Sequence, residues 1–306
     1  MYETYFSLKE APFSLKADAN YFVNLQSHLE ALKILLLGLA HAEGFMKITG
    51  EVGSGKTFLC NKLRKTLNAQ YVTIYLNTPC LNDMDLLYNL ARVLKFESYR
   101  DFPKHRLMEK IASILTQLKA EGKRVLFLVD EAQAMDESAL EAFRLMNYYY
   151  SESEGLFDAI LFGQPELNFK LAHPMLRSLS QRMIFSYELE PLNLKGLLHY
   201  LRVRLRTAGF FGKLPFSPAA LLYLYKKSQG VPRVVNILCH KALLAAYRDK
   251  KRQADFQCMQ EAVTTSPQPP SFFRHKSFGK KLLWNGAAIA LGGLGVYLSP
   301  LVSTGL

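Results

Sequence analysis

Gly50-Glu51-Val52-Gly53-Ser54-Gly55-Lys56-Thr57 matches G-x-x-x-x-G-K-[ST] at every fixed position, and its reading decides the fold. Phe45 to Ile48 reads as a short strand entering this stretch, and Phe58 to Leu67 as the helix leaving it. The spacing has a chemical reason. Glycines let the backbone curl so that successive N–H groups point inward at phosphate oxygens. The helix start adds the positive end of its dipole. Lys56 supplies a mobile cation for the β- and γ-phosphates of ATP, and Thr57 a hydroxyl for Mg²⁺. The expected nucleotide-binding residues are therefore Gly50, Glu51, Val52, Gly53, Ser54, Gly55, Lys56, Thr57 and Phe58.

A second signal lies downstream. Arg124-Val125-Leu126-Phe127-Leu128-Val129-Asp130-Glu131 is a continuous apolar run closed by two carboxylates. Such a run suits a strand buried on both faces of a parallel sheet. Open α/β sheets place their ligands at the carboxyl ends of strands. Asp130 is expected to hold Mg²⁺, directly or through water, and Glu131 to polarise the water that attacks the γ-phosphate. The bland alternative is a strand capped by a solvated acidic turn. Asp158 to Gln164 reads as the next buried strand. Gln164 ends it, either positioning the attacking water or serving as an ordinary loop amide.

Tyr71–Leu76 and Met183–Tyr187 complete five strands. Strands alternating with helices predict a three-layer, mostly parallel α/β core over residues 1–190. Ser27-His28-Leu29-Glu30 reads as a capping box opening a helix to Ala42, with Leu29, Leu32, Leu36 and Leu39 as its buried stripe. Residues 5–21 read as an extended aromatic arm on the core. Phe13 and Phe22 either flank an adenine ring or pack inside. Past Glu190 the pattern turns all-helical: 194–206, 218–229, 233–248 and 256–264, with Ser217 as an N-cap. This is a small helical lid over residues 191–264.

Net charge is +12, with 49% hydrophobic and 21% charged residues, as in a globular protein with an anionic partner. Between Lys195 and Arg252 the only acid is Asp249, so a basic lid face suits nucleic acid or lipid headgroups, or is simply solvated. The four cysteines form no C-x-x-C pair and read as reduced core residues. The N-terminus lacks the pattern of a secretory signal, which leaves the main body in the cytoplasm. Residues 265–281 carry prolines and a basic cluster and read as a linker. Leu282 to Val302 holds no charged residue. As a helix it would be roughly 31 Å long, the thickness of a bilayer's hydrocarbon. Trp284 and Tyr297 sit near its ends, and the preceding basic residues keep its N-terminal side cytoplasmic. The expectation is a single C-terminal transmembrane helix.

These motifs together resemble the AAA+ ATPases. Gly50 to Thr57, Val129-Asp130-Glu131-Ala132-Gln133, Leu161-Phe162-Gly163-Gln164-Pro165-Glu166-Leu167 and Gly230-Val231-Pro232-Arg233-Val234-Val235-Asn236-Ile237-Leu238 are similar to the general secretion pathway protein A (ExeA) family, and within it to the branch serving mannose-sensitive haemagglutinin (MSHA) pilus biogenesis. The similarity runs from Met1 to about Thr264. It implies that Gln164 is the sensor-1 residue and Arg233 the sensor-2 arginine of the lid. It also implies that Arg182, or else Arg177, is the arginine finger offered to a neighbouring subunit. It implies a self-assembling ring, partners in a pilus or secretion machinery, and the cytoplasmic face of an inner membrane. Relatives often carry an acid where this chain has Tyr149. Larger ones continue into a periplasmic peptidoglycan-binding domain, an activity not expected of a chain ending at Leu306. Two rivals stand beside this reading: a DNA-binding AAA+ regulator of the transposition type, and an ATP-bound switch that hydrolyses little.

Overall fold

The computed structural model describes residues 2–14, 23, 25–41, 44–77, 82–96, 99–148 and 155–266. Phe22, Tyr149, the expected linker of 265–281 beyond Ser266 and the expected membrane span of 282–302 lie outside the described residues. Among those described, no helix is long and apolar enough to cross a membrane. The chain divides into two compact units, a sheet unit of residues 30–50 and 59–189, and a helical unit of residues 2–29, 51–58 and 190–266.

The sheet unit holds five strands: β1 (Phe45–Thr49), β2 (Tyr71–Leu76), β3 (Arg124–Val129), β4 (Asp158–Gly163) and β5 (Met183–Glu188). Their order is β2-β3-β4-β1-β5, every pair parallel. The two faces follow the period of two along each strand. Phe45, Val125, Phe127, Val129, Ala159 and Leu161 enter one core. Met46, Ile48, Leu126, Leu128, Ile160 and Phe162 enter the other. The first face is covered by α4 (Asp83–Val93), α5 (Lys104–Ala120), α6 (Glu137–Tyr148), α7 (Glu166–Leu171) and α8 (Arg177–Gln181). The second is covered by α2 (Gln26–Ala40) and α3 (Lys56–Thr66). This is the expected three-layer arrangement.

Phe127 anchors the first core. Its ring meets Phe157 edge-on at 4.6 Å and Phe143 at 5.2 Å, contacts that add about 0.5–1.5 kcal/mol each beyond burial. Asn147, at 0% exposure, supports the approach to β4. Its Oδ1 accepts the Phe157 N–H at 2.9 Å and its Nδ2 donates to the Phe157 carbonyl at 3.0 Å.

Helix α2 departs from the sequence reading. Its buried stripe is Ala31, Leu35, Leu36 and Leu39, whereas Leu29 is 41% exposed. Ser27 lies inside the first turn, and its hydroxyl accepts the N–H of Glu190 at 3.0 Å instead of capping the helix. The stripe is rotated because His28, not Leu29, turns inward.

The helical unit comprises α1 (Tyr2–Tyr5), α9 (Leu194–Thr207), α10 (Pro218–Ser228), α11 (Pro232–Arg248) and α12 (Phe256–Thr264). Ser217 caps α10, accepting the Ala220 N–H at 3.2 Å. The N-terminal arm belongs to this unit rather than to the α/β core. Tyr2, Phe6, Leu8, Phe13, Val23 and Leu25 share one cluster with Leu197, Leu201, Leu238 and Leu243. Phe13 is therefore a core residue, its ring 6.2 Å from that of Phe216. Arg204 is the physical reason the arm docks here. It is buried, and its guanidinium donates to the carbonyls of Pro12 at 2.7 Å and Ser14 at 3.0 Å. A buried cation so occupied is structural. Arg248 and Lys251 are also engaged, with Glu261 and Asp255, so part of the basic charge of 195–252 is balanced internally.

Candidate functional site

Residues 51–58, the phosphate loop beyond Gly50, lie in the helical unit. β1 ends at Thr49, Gly50 follows, and α3 begins at Lys56. Between them the chain folds on itself, with the Ser54 N–H on the Glu51 carbonyl at 3.0 Å. Gly53 and Gly55 have φ of +81° and +99°, values at which a Cβ is strained. Space is also closed to a side chain. A Cβ on Gly53 would lie 2.3 Å from Arg233 Cβ, and one on Gly55 would lie 2.6 Å from His28 Nε2. Arg233, exposed at the start of α11, is thereby placed against the loop. Val52 and Thr57 are exposed, Glu51 and Phe58 half-buried. Lys56 is only 5% exposed, its Nζ donating to the Glu51 carbonyl at 3.1 Å.

His28 is a neighbour of this loop that sequence reasoning missed. It is buried, and its Nε2 lies 3.0 Å from the Ser54 carbonyl. A carbonyl only accepts, so Nε2 carries the proton. Burial holds its pKa below the usual histidine value, against the smaller opposing effect of the Ser54 bond. Its neutral ring props the loop from behind.

Asp130, Glu131 and Gln164 lie at the carboxyl edge of the sheet unit. β4 pairs on one side with β1 and on the other with β3, so Gly50, Asp130 and Gln164 leave the sheet at the same edge. Residues 125–129 are fully buried, and Asp130, the first polar residue after them, is 6% exposed. Its Oδ1 accepts the Glu131 N–H at 3.0 Å and its Oδ2 the Tyr75 hydroxyl at 3.1 Å. The Tyr75 hydroxyl is pushed up in pKa by burial first and by the Asp130 carboxylate second. Cys60 is pushed up to about 12 by burial, with the Asp130 charge adding to it, so this thiol stays protonated.

Glu131 takes a left-handed backbone, φ +54°, uncommon for a residue with a side chain. Its Oε2 accepts from Gln164 Nε2 at 3.1 Å and from Gln133 Nε2 at 2.5 Å. Gln164, expected to position the attacking water, is here hydrogen-bonded to the Glu131 carboxylate. Tyr75 and Gln133 were absent from the expected set. Gln133 had a signal, standing two residues past the carboxylates, whereas Tyr75 looked like any strand aromatic. Arg177 and Arg182 are both exposed, at the first residue of α8 and just beyond its last.

An AAA domain family model matches residues 39–171. General secretion pathway protein A of Aeromonas hydrophila is 37% identical over 247 residues, covering 81% of this chain. The chain spans 45% of that protein's length. Among solved structures, the Aeropyrum pernix ORC2 protein, in ADPNP–ADP complexes, superposes with a TM-score of 0.59 at 17% identity, over 85% of this chain and 73% of that one. Cdc6p from Pyrobaculum aerophilum gives a TM-score of 0.57 at 15% identity, over 79% and 67%. At these identities the structures speak to the fold alone.

Proposed function

We propose that this chain, whose residues 39–171 match an AAA domain model, binds and hydrolyses ATP with Mg²⁺ to drive a step in assembling a secretion apparatus or an MSHA-like type IV pilus. The observation that carries this reading is the shared carboxyl edge. Gly50, the first residue of the phosphate loop, leaves β1 at the same edge of the sheet as the strand ends bearing Asp130, Glu131 and Gln164. The residues suit a triphosphate and its metal: a loop that admits no Cβ at Gly53 or Gly55, a lysine at its end, and oxygen donors in Thr57 and Asp130.

The loop N–H groups and Lys56 hold the phosphates, while Thr57 and Asp130 hold the cation. Mg²⁺, when bound, neutralises charge on the phosphate oxygens. Glu131 accepts the proton of the attacking water, and Gln164 fixes that carboxylate. Arg233, from the helical unit, reads the terminal phosphate. Arg182, with Arg177 as the second candidate, is exposed as a finger acting on a neighbouring subunit must be. The relative's name supports the secretion role. The uncharged span 282–302 supports anchoring in an inner membrane with the rest of the chain on its cytoplasmic face.

Phosphate release by the parent and by Glu131→Gln tests the enzyme, with roughly a 10²-fold or greater loss expected. Negligible release in both, with ATP still bound, would identify a nucleotide switch instead. Membrane fractionation with and without residues 282–306 tests the anchor; equal solubility of the two refutes it.

A further inference from the structure

Gln133 lies in a single 3₁₀ turn, Ala132–Ala134. Its side chain is engaged at both ends. Nε2 donates to Glu131 Oε2, and Oε1 accepts the backbone N–H of Gln164 at 3.0 Å. Gln164 Nε2 reaches the same Glu131 oxygen. This fixes the amide's orientation, since a flipped Gln133 would set NH₂ against N–H and oxygen against carboxylate. The turn itself is held by Lys170 of α7, whose Nζ donates to the Gln133 carbonyl at 2.8 Å and to that of Met135. Gly163 leaves room for the arrangement: a Cβ there would sit 3.2 Å from Gln133 Oε1 and 2.7 Å from Leu167 Cδ2.

We propose that Gln133 is a positioning residue for hydrolysis, holding the Glu131 carboxylate in one orientation and tying it to the end of β4 through Gln164. The inference rests on the ATPase reading above. The terminal torsion of a glutamate is otherwise broad. Two N–H donors on one oxygen stop that rotation. The left-handed backbone of Glu131 sets where the side chain starts, and the two amides set where it ends. Misplacing a reacting group by about 1 Å costs roughly 10²-fold. Gln133 acts through Glu131 and the backbone of Gln164, not through the loop groups that hold the phosphates, so nucleotide affinity does not depend on it.

The experiment compares Gln133→Ala, Gln133→Glu, Glu131→Gln and the double variant Glu131→Gln/Gln133→Ala. Steady-state hydrolysis, affinity for a fluorescent ATP analogue and thermal unfolding are measured for each. Gln133→Glu keeps an acceptor for the Gln164 N–H but loses the donor to Glu131, so it controls for a folding defect in the alanine variant. Both single changes at Gln133 should lower kcat by roughly 10²-fold while ATP affinity stays within about threefold. The double variant should be no slower than Glu131→Gln. A kcat in Gln133→Glu equal to or above the parent's overturns the proposal, as does a double variant slowed by the product of the two effects. A Glu131→Gln chain as fast as the parent refutes the ATPase assignment itself. That result is distinct from a slow Glu131→Gln beside an unimpaired Gln133→Glu, which refutes positioning alone.

Discussion

Replacing Gly53 with alanine puts the loop and Arg233 in direct conflict. At φ +81° the new side chain carries a left-handed penalty of about 1–2 kcal/mol. Its Cβ would also lie 2.3 Å from Arg233 Cβ and 3.0 Å from Arg233 Cδ, far inside the 3.5–4.0 Å at which carbons attract. Overpacking of this kind costs about 1–3 kcal/mol, so together the two effects amount to about 2–5 kcal/mol. Since about 1.4 kcal/mol is tenfold, ATP affinity should fall at least roughly 30-fold if the loop yields. If the loop does not yield, thermal stability should fall instead. The assay is titration with a fluorescent ATP analogue and Mg²⁺, with thermal unfolding alongside. A second background separates the two effects. In an Arg233→Gly chain the clash is gone and only the backbone strain remains, so Gly53→Ala should there cost about 1–2 kcal/mol, roughly 5- to 30-fold. If Gly53→Ala in the parent binds as tightly as Gly53 and melts at the same temperature, the loop is not packed against Arg233 and the argument fails.

Two further perturbations probe the rest of the chain. Asn147→Ala should lower stability by about 2–4 kcal/mol in urea unfolding, because it leaves both the N–H and the carbonyl of Phe157 unpaired in the core. Asn147→Asp should not restore it, lacking the donor for that carbonyl. Acidification should destabilise the helical unit. Burial lowers the pKa of His28, which hydrogen-bonds the Ser54 carbonyl, and of His240, which hydrogen-bonds Tyr2 at 3.0 Å. Both therefore protonate more readily unfolded than folded, and stability is lost as pH drops through the ordinary value of 6.5 and below. Unfolding midpoints at about pH 7.5 and 5.5 should show the loss, and His28→Gln should reduce its slope.

The sheet was legible because its signals are local. Val125 to Val129 are apolar on both sides of the strand, and a strand with two buried faces must lie inside a parallel sheet. The phosphate loop was legible because glycine spacing and a lysine are written into one octapeptide. What was not legible depended on partners far along the chain. His28 looked like the second residue of a capping box, and only the position of the Ser54 carbonyl shows that it faces inward. Leu29 fitted an apolar stripe whose rotation no neighbouring residue announces. Tyr75 and Gln133 gained their roles from Asp130 and Gln164, the latter reached only through the register of β4 beside β3. The N-terminal arm was counted with residues 1–190, while Arg204 holds it in the helical unit.

That last attachment sets a timetable for synthesis. Arg204 and Pro12 are 192 residues apart in sequence, and ribosomes add about 5–20 residues per second. The opening segment therefore waits roughly 10–40 s for the guanidinium that receives it. Throughout that interval Tyr2, Phe6 and Phe13 have no helical cluster to enter, and exposed aromatic side chains of this kind are what holding chaperones capture. The sheet also waits, since β1 pairs only with β4 and β5, but its five strands are all made by residue 188, before Arg204. A newborn chain of this protein should therefore resist protease across its middle before its first residues gain protection.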